Sequence, residues 1–362
     1  MSGSAAATAG PPPLVIRFGA FGDMVLLTVL LRHLHARFGR PADVVASGAW
    51  TRPLLEDYSS VSRLMLIRSR RTPYWLSLDQ RRLVAWLRAR GHGPTWYCDM
   101  HPAGRDLLTR AGLPGKFICD SRDYPWQPGE SFADRYIRLG NELPVAFAGQ
   151  VPPLPAGTTA RCAQLEVSAQ SRELAENWLA RRGLQGRAFA VVHPGSRHIA
   201  RRGLRSRAGA DKYWPESRWG AVVRAMREHC PDQAVLLSGT PQEYSLNQDI
   251  VRCAGIADVH NVADDLPITT LLPLLERAKS MISVDTGPAH AAAALGCPTV
   301  SLFGTADAAL FRPGGATTRA IALTGMVDGV QNILGISVAT VVAAWLDLLH
   351  RSGGPRQILS SR

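Results

Sequence analysis

Short apolar runs alternate with helix-period stretches along most of the chain. In the first half, residues 14–18, 43–47, 63–67, 95–99 and 116–119 predict strands, and 24–38, 79–90 and 105–111 predict helices. The helix over 24–38 sets Leu26, Leu27, Leu30, Leu31 and Leu34 on one face and Arg32, His33 and Arg37 on the other, and Gly39 ends it. Pro144, Pro152, Pro153 and Pro155 then remove all periodicity, which places a domain connection there. The rhythm restarts with a helix over 171–182, a strand over 188–193, and helices at 217–229, 242–253 and 269–278 around strands at 234–238, 281–284 and 299–303. This alternation predicts two α/β domains in tandem, each built on a mostly parallel sheet, with a cleft between their facing edges. The expected divisions are a disordered tail over 1–13, an N-terminal domain over 14–165, a C-terminal domain over 166–345 and a tail over 346–362.

In open α/β sheets, ligands sit outside the carboxyl ends of the strands, so the loops after Phe18, His193, Ser238 and Val284 carry the candidate chemistry. After Val284 the chain runs Asp285-Thr286-Gly287; Pro288 presets a helical turn, alanines extend it, Gly296 ends it, and a second apolar run leads to Leu302-Phe303-Gly304. Backbone amides at such a helix start suit an anion, a phosphate above all. The same residues also fit a bland role, with Asp285 or Thr286 as the N-cap of a core helix. His290, in the first turn, fits a phosphate contact or a satisfied structural histidine.

Three further segments leave the same choice open. Arg17-Phe-Gly-Ala-Phe-Gly22-Asp23 has Gly-x-x-Gly spacing rather than Gly-x-Gly-x-x-Gly, which disfavours an NAD site and leaves Asp23 as a carboxylate at a helix start. An acid there fits chemistry or simple complementation of the helix dipole. His193-Pro-Gly-Ser196 is a second backbone-rich turn; beyond it Lys212 and Trp214 fit a point charge and an aromatic wall for a diphosphate, or a solvated lysine before a Pro-started helix. In Leu237-Ser-Gly239-Thr-Pro-Gln-Glu243, the acid fits a ribose contact or a surface glutamate.

Composition narrows the class. An apolar content of 46% in 362 residues suits a soluble globular protein, and no apolar run is long enough to span a bilayer. The first thirteen residues lack a basic segment, so they are expected to be a tail rather than a signal peptide, with the protein in the cytoplasm. Six cysteines without a Cys-x-x-Cys pair argue against a zinc or disulfide framework and suggest buried apolar residues. The formal charge of +12 is concentrated: residues 181–227 hold twelve basic residues against Asp211 and Glu216. Arg197, Arg201, Arg202, Arg205 and Arg207 lie in one acid-free stretch, expected to touch an anionic acceptor or a membrane surface, or else to be a solvated insertion. Aromatics do not interleave with these arginines, which weighs against nucleic acid.

Gly-x-x-Gly-Asp23 after the first strand, Lys212-x-Trp-Pro-Glu216, and Val-Asp285-Thr-Gly-Pro-x-His290 followed by Leu-Phe-Gly304 together resemble glycosyltransferase family 9, the bacterial lipopolysaccharide heptosyltransferases. Asp99-Met-His101 stands where that family has an Asp-x-Gln/His turn, and the resemblance runs from about Leu14 to Pro313. It implies a GT-B fold of two Rossmann-like domains facing across a cleft, the first binding acceptor and the second binding donor. It also implies inverting sugar transfer from a nucleotide diphosphate sugar, typically ADP-L-glycero-D-manno-heptose, to a lipopolysaccharide core acceptor. Carried over by position, Asp23 is the general base and Lys212 the donor-phosphate lysine. Donor binding falls to Gly22, Ser196, Lys212, Gly239, Glu243, Asp285, Thr286, Gly287 and His290, and acceptor binding to Arg17, Asp99 and His101. The sequence has no Asp-x-Asp, so no metal and no cofactor are expected beside the nucleotide sugar, with fixed positive groups in the metal's place. A carboxylate beside a diphosphate repels it, so Asp285 is expected to organise the loop or Lys212. The expected partners are the donor, an anionic glycan or lipid-linked acceptor, and the inner-membrane surface through Arg197 to Arg207. Competing readings are a sugar-nucleotide epimerase or hydrolase of the same fold, and a non-catalytic basic module binding glycans or nucleic acid.

Overall fold

The computed structural model of the chain describes residues 10–69, 72–196, 210–315, 319–350 and 357–360. The Arg-rich stretch from Arg197 to Arg207 lies outside them. Two compact units divide between Glu166 and Val167.

The N-terminal unit is a five-stranded parallel sheet in the order β3-β2-β1-β4-β5, formed by β1 (Leu14–Ile16), β2 (Ala42–Ser47), β3 (Val61–Ile67), β4 (Thr95–Tyr97) and β5 (Ile118–Asp120). Val15 pairs with Val44 on one side and Trp96 on the other, and the unbroken apolar run Leu-Val-Ile suits a strand covered on both faces. Helix α1 (Phe21–Phe38) starts three residues before the expected Met24, so Gly22 and Asp23 lie within its first turn. It ends at Gly39, whose left-handed φ of 67° and N–H to the His35 carbonyl close the helix. The expected polar face of α1 is a correction: His33 and Arg37 are buried. Arg37 donates to the carbonyls of Gly140, Glu142, Val151 and Pro152 at 2.7–3.0 Å, so its charge pins the segment after α5 (Phe132–Asn141) rather than facing water. The sheet also carries α2 (Thr51–Leu55), α3 (Leu78–Arg90) and α4 (Pro102–Ala111).

The C-terminal unit opens with α6 (Ala169–Arg181) and is built on a seven-stranded parallel sheet in the order β14-β11-β10-β9-β6-β7-β8. Its strands are β6 (Phe189–His193), β7 (Ala234–Leu237), β8 (Val259–Asn261), β9 (Met281–Val284), β10 (Thr299–Leu302), β11 (Ala320–Thr324) and β14 (Gln357–Ser360). A short antiparallel hairpin, β12 (Met326–Val327) with β13 (Val330–Gln331), stands apart from that sheet. The helices between these strands are α7 (Glu216–His229), α8 (Tyr244–Ala254), α9 (Ile268–Arg277), α10 (Gly287–Ala294), α11 (Ala308–Phe311) and α12 (Val338–His350). The six residues Ala289 to Ala294 of α10 are all buried, and the small side chains of the five alanines among them let the helix lie close on β9 and β10. Helix α12 carries on past the expected tail boundary at 345, with Leu348 buried in the core.

Both sheets place their first strand centrally and reverse the strand order beside it. The switch points therefore lie between β1 and β4 and between β6 and β9. Among the described residues no helix is long and apolar enough to cross a membrane. Cys98, Cys119, Cys162 and Cys297 are buried as expected, whereas Cys253 is exposed.

Candidate functional site

At the N-terminal switch point, the loops after β1 and β4 are tied together by one carboxylate. Asp99, 3% exposed, accepts from the Phe18 amide at 2.9 Å through Oδ2 and from the His101 amide at 2.7 Å through Oδ1. The His101 carbonyl in turn accepts from the Tyr97 hydroxyl at 2.6 Å. Asp99 thus brackets the two loops, and this part of the expected acceptor set has a positioning role in its own unit. Arg17 donates to the Cys98 carbonyl at 2.6 Å and to Asp23 Oδ1 at 2.9 Å. Burial works against charge on that guanidinium, but Tyr136 and Asp23 more than offset it, and its pKa lies above the ordinary arginine value. Asp23 Oδ2 accepts from the Ala20 amide at 2.7 Å, so the acid does serve its own helix start. Gly19 makes this possible, because a Cβ there would collide with the Asp23 side chain.

At the C-terminal switch point the central contact is an ion pair. Lys212 Nζ donates to the carboxylate Oδ2 and the backbone carbonyl of Asp285, both at 2.6 Å. An ammonium has three N–H donors, and these two contacts hold it over the loop that leads into α10. Asp211, next to the lysine, accepts from the Thr305 amide at 2.7 Å through Oδ1, and Gly304 packs so tightly against Asp211 that no Cβ would fit. The glycine of Leu-Phe-Gly304 therefore anchors the lysine's segment. Thr286 occupies the N-cap of α10 but does not cap it with its side chain; its hydroxyl turns back to the Val284 carbonyl at 3.2 Å and lies 3.1 Å from the Ser283 hydroxyl. The amides of Gly287 and Ala289 are thus left uncapped by Thr286, while the His290 amide donates to the Thr286 carbonyl at 3.4 Å. Pro288 lies within the first turn, and His290 Nε2 lies 3.8 Å from Asp285 Oδ1.

Beside this loop, Glu243 is only 4% exposed, contrary to a surface role. Its Oε2 accepts from the amide of Thr240 at 2.7 Å and the hydroxyl of Thr240 at 3.0 Å. Its Oε1 lies against Gly195, where a Cβ would have to displace the carboxylate. Gly239 packs on the Glu243 Cβ, and Ser196 is buried at the end of the same turn. His193, buried, bonds through Nδ1 to the Ser238 hydroxyl at 3.0 Å; burial pushes its pKa below the usual value while Glu243 pulls the other way.

Within the C-terminal unit, Lys212, Asp285, Thr286, Gly287 and His290 come together around one loop, with Gly239, Glu243, Gly195 and Ser196 forming the neighbouring wall. Within the N-terminal unit, Arg17, Gly22, Asp23, Asp99 and His101 gather at the first switch point. Trp214 is a correction: it is 1% exposed, stacked edge-on with Trp219 at 5.0 Å and bonded to the Ile336 carbonyl, so it is core rather than an aromatic wall. Gly19, Gly195, Asp211 and Ser283 were missed as site residues, although the first three stand in or beside the quoted motifs. Among the described residues no group of three His, Cys, Asp or Glu side chains gathers as a metal cluster.

The profile of glycosyltransferase family 9 (heptosyltransferase) matches residues 145–326. Lipopolysaccharide heptosyltransferase 2 of Salmonella typhimurium is 23% identical over 304 residues, 80% of this chain and 82% of that protein. Lipopolysaccharide heptosyltransferase 3 of Escherichia coli is 29% identical over 130 residues, 35% of this chain and only 34% of that protein, so the chain spans about a third of that relative. The solved structure of E. coli ADP-heptose lipopolysaccharide heptosyltransferase II superposes with a TM-score of 0.68 at 22% identity, covering 93% of this chain and 98% of that one.

Proposed function

The chain belongs to glycosyltransferase family 9 and has the GT-B fold of two Rossmann-like α/β units, and from that premise we propose that it is an inverting glycosyltransferase. It moves a heptose from ADP-heptose to a glycan acceptor of the lipopolysaccharide type. The observation that carries this reading is the Lys212–Asp285 clamp at the start of α10. A buried-edge ammonium with a remaining donor, beside uncapped helix amides, suits a diphosphate leaving group.

In the proposed reaction, Asp23 takes the proton of the acceptor hydroxyl as that oxygen attacks the anomeric carbon from the face opposite the diphosphate. The bond from the anomeric carbon to the phosphate oxygen breaks, and its electron pair leaves with the nucleoside diphosphate. Lys212 and the amides of α10 stabilise the charge that develops there, a role that needs no metal. Arg17 orients the Asp23 carboxylate, whose oxygens each keep a further lone pair for the incoming proton. Asp285 neutralises and aims Lys212, and Glu243 offers Oε1 to ribose hydroxyls. Arg17 and His101 contribute to acceptor binding, Asp99 by holding their loops. The substrates place the reaction in the cytoplasm, at the inner membrane where the acceptor is lipid-linked.

A thermal-shift screen with ADP, GDP, UDP and CDP, followed by an ADP-release assay with and without acceptor glycan, tests the reading. We expect selective stabilisation by ADP and release that requires acceptor. Stabilisation by another base would overturn the donor, and release without acceptor would mean hydrolysis.

A further inference from the structure

Three large apolar side chains stand together in solvent just after β3: Trp75, Leu76 and Leu78 are 72%, 59% and 60% exposed. Hydrogen bonds brace this segment. Tyr74–Leu76 form one tight 3-10 turn, and the amides of Leu76 and Ser77 return to the Pro73 and Tyr74 carbonyls at 3.0 and 3.2 Å. The buried Gln80 side chain donates to the Ser69 and Thr72 carbonyls at 2.9 and 2.8 Å, tying the approach to the turn onto α3. Tyr74 turns inward against the core, with the Arg110 guanidinium 4.7 Å from its ring centre. The turn thus sends one aromatic in and holds the next apolar side chains out in water, an arrangement that marks an interaction surface.

The charge around it selects the partner. Residues 63–90 contain eight arginines and one acid, Asp79. That acid lies 3.6 Å from the Arg68 guanidinium, and Arg81 and Arg82 are exposed one turn further along α3. A tryptophan and two leucines bordered by arginines have the composition of a protein face that rests on anionic lipid. A convex turn of five residues offers a second protein far less than the roughly 800 Å² per partner of a stable interface, whereas a bilayer requires no complementary shape. Topology adds a reason for its position. Because every strand of this sheet is parallel, the chain leaves β3 toward this turn at the same edge as the loops bearing Asp23 and Asp99, and β3 lies two strands, about 10 Å, from β1. The exposed Met100, after β4, leaves from that edge too.

We propose that Trp75, Leu76 and Leu78, with Arg81 and Arg82, dock the N-terminal unit on an anionic lipid bilayer. The apolar side chains enter the interface and the arginines face headgroup phosphates. This binding does not depend on the glycosyl-transfer reading, and neither Asp23 nor Lys212 takes part.

The test is sedimentation of the full chain with vesicles of phosphatidylglycerol and phosphatidylethanolamine, against phosphatidylcholine alone, at low and high salt. The chain should sediment with the anionic vesicles at low salt. Trp75→Ser/Leu76→Ser/Leu78→Ser should weaken partitioning at least about tenfold, with the Tm and the ADP-induced Tm shift unchanged. Arg81→Ser/Arg82→Ser should remove most of the preference for anionic lipid and most of the salt dependence. Brominated acyl chains should quench part of the tryptophan emission, and that part should vanish in Trp75→Ser. Equal partitioning of the triple variant and the parent, or no sedimentation of the parent with anionic vesicles, would overturn the proposal. So would a parent dimer that the triple variant dissolves while vesicle binding is unaffected, since the surface would then belong to a second copy of the chain.

Discussion

In the N-terminal unit the helix beginning at the switch point supplies its own anion: Asp23, in the first turn of α1, folds back onto the Ala20 amide and is gripped by Arg17. In the C-terminal unit α10, the helix after the second switch-point strand β9, has an N-cap threonine whose hydroxyl turns away, and a lysine clamped alongside. Both helices start beside a switch point of their own sheet, and their electrostatics are opposite. A helix start becomes an anion site only where the local sequence leaves its amides uncovered; where the sequence covers them, it presents a fixed carboxylate instead. That division suits a base on one unit and a leaving-group site on the other.

The largest effect should come from removing the carboxylate. Asp23→Asn should lower kcat by about 10²–10⁴-fold while ADP affinity, measured calorimetrically, stays within about twofold. A parallel loss of ADP affinity would break the contrast between the units. In the C-terminal unit, Lys212→Ala should lower kcat/KM by about 10²–10³-fold and weaken ADP binding as well, and Lys212→Arg should restore little, because a planar fork does not replace a point charge between two Asp285 oxygens. A smaller effect sharpens the picture of the donor wall. Gly195→Ala puts a Cβ against Glu243 Oε1 and must push that carboxylate aside. ADP affinity should fall about tenfold and affinity for inorganic diphosphate not at all, given a hydrogen-bonded ribose contact of about 1–2 kcal/mol. Equal losses for both ligands would remove Glu243 from the ribose.

The strand–helix alternation was legible because buried parallel strands and amphipathic helices write different periods into the chain. The strands flanking both switch points appear in the sequence at nearly their true positions. Less was visible where tertiary contacts override local pattern. Arg37 and His33 look like the wet face of α1, but carbonyls after α5 and the side chains of Asn141 and Thr159 take them inside. Trp214 looks like a ligand wall because nothing local reveals that Trp219 and Ile336 enclose it. The site chemistry was legible as motifs. The reasons for the glycines were not, since Gly195 matters through Glu243, forty-eight residues later, and Gly304 through Asp211.

The smallest expected effect concerns two buried histidines, one in each unit. Burial lowers the pKa of both; Arg37 adds to the depression at His33, although the Asn141 hydrogen bond opposes it, while Glu243 opposes it at His193. A histidine whose folded pKa is depressed takes up its proton in the unfolded chain first. The stability it contributes is complete above the unfolded value of 6.5 and is lost as pH falls through the folded value, by at most about 1.4 kcal/mol per pH unit per group. Urea unfolding from neutral to mildly acidic pH should therefore show a loss of stability that begins near 6.5, and His33→Gln and His193→Gln should each flatten it. Glu243→Gln distinguishes the two units. Removing the one charge that favours a proton on His193 should extend the acid loss to lower pH, with the His33 contribution untouched. If Glu243→Gln instead left the acid loss unchanged, the charge of Glu243 would have no bearing on His193, and the contrast between the two buried histidines would fail.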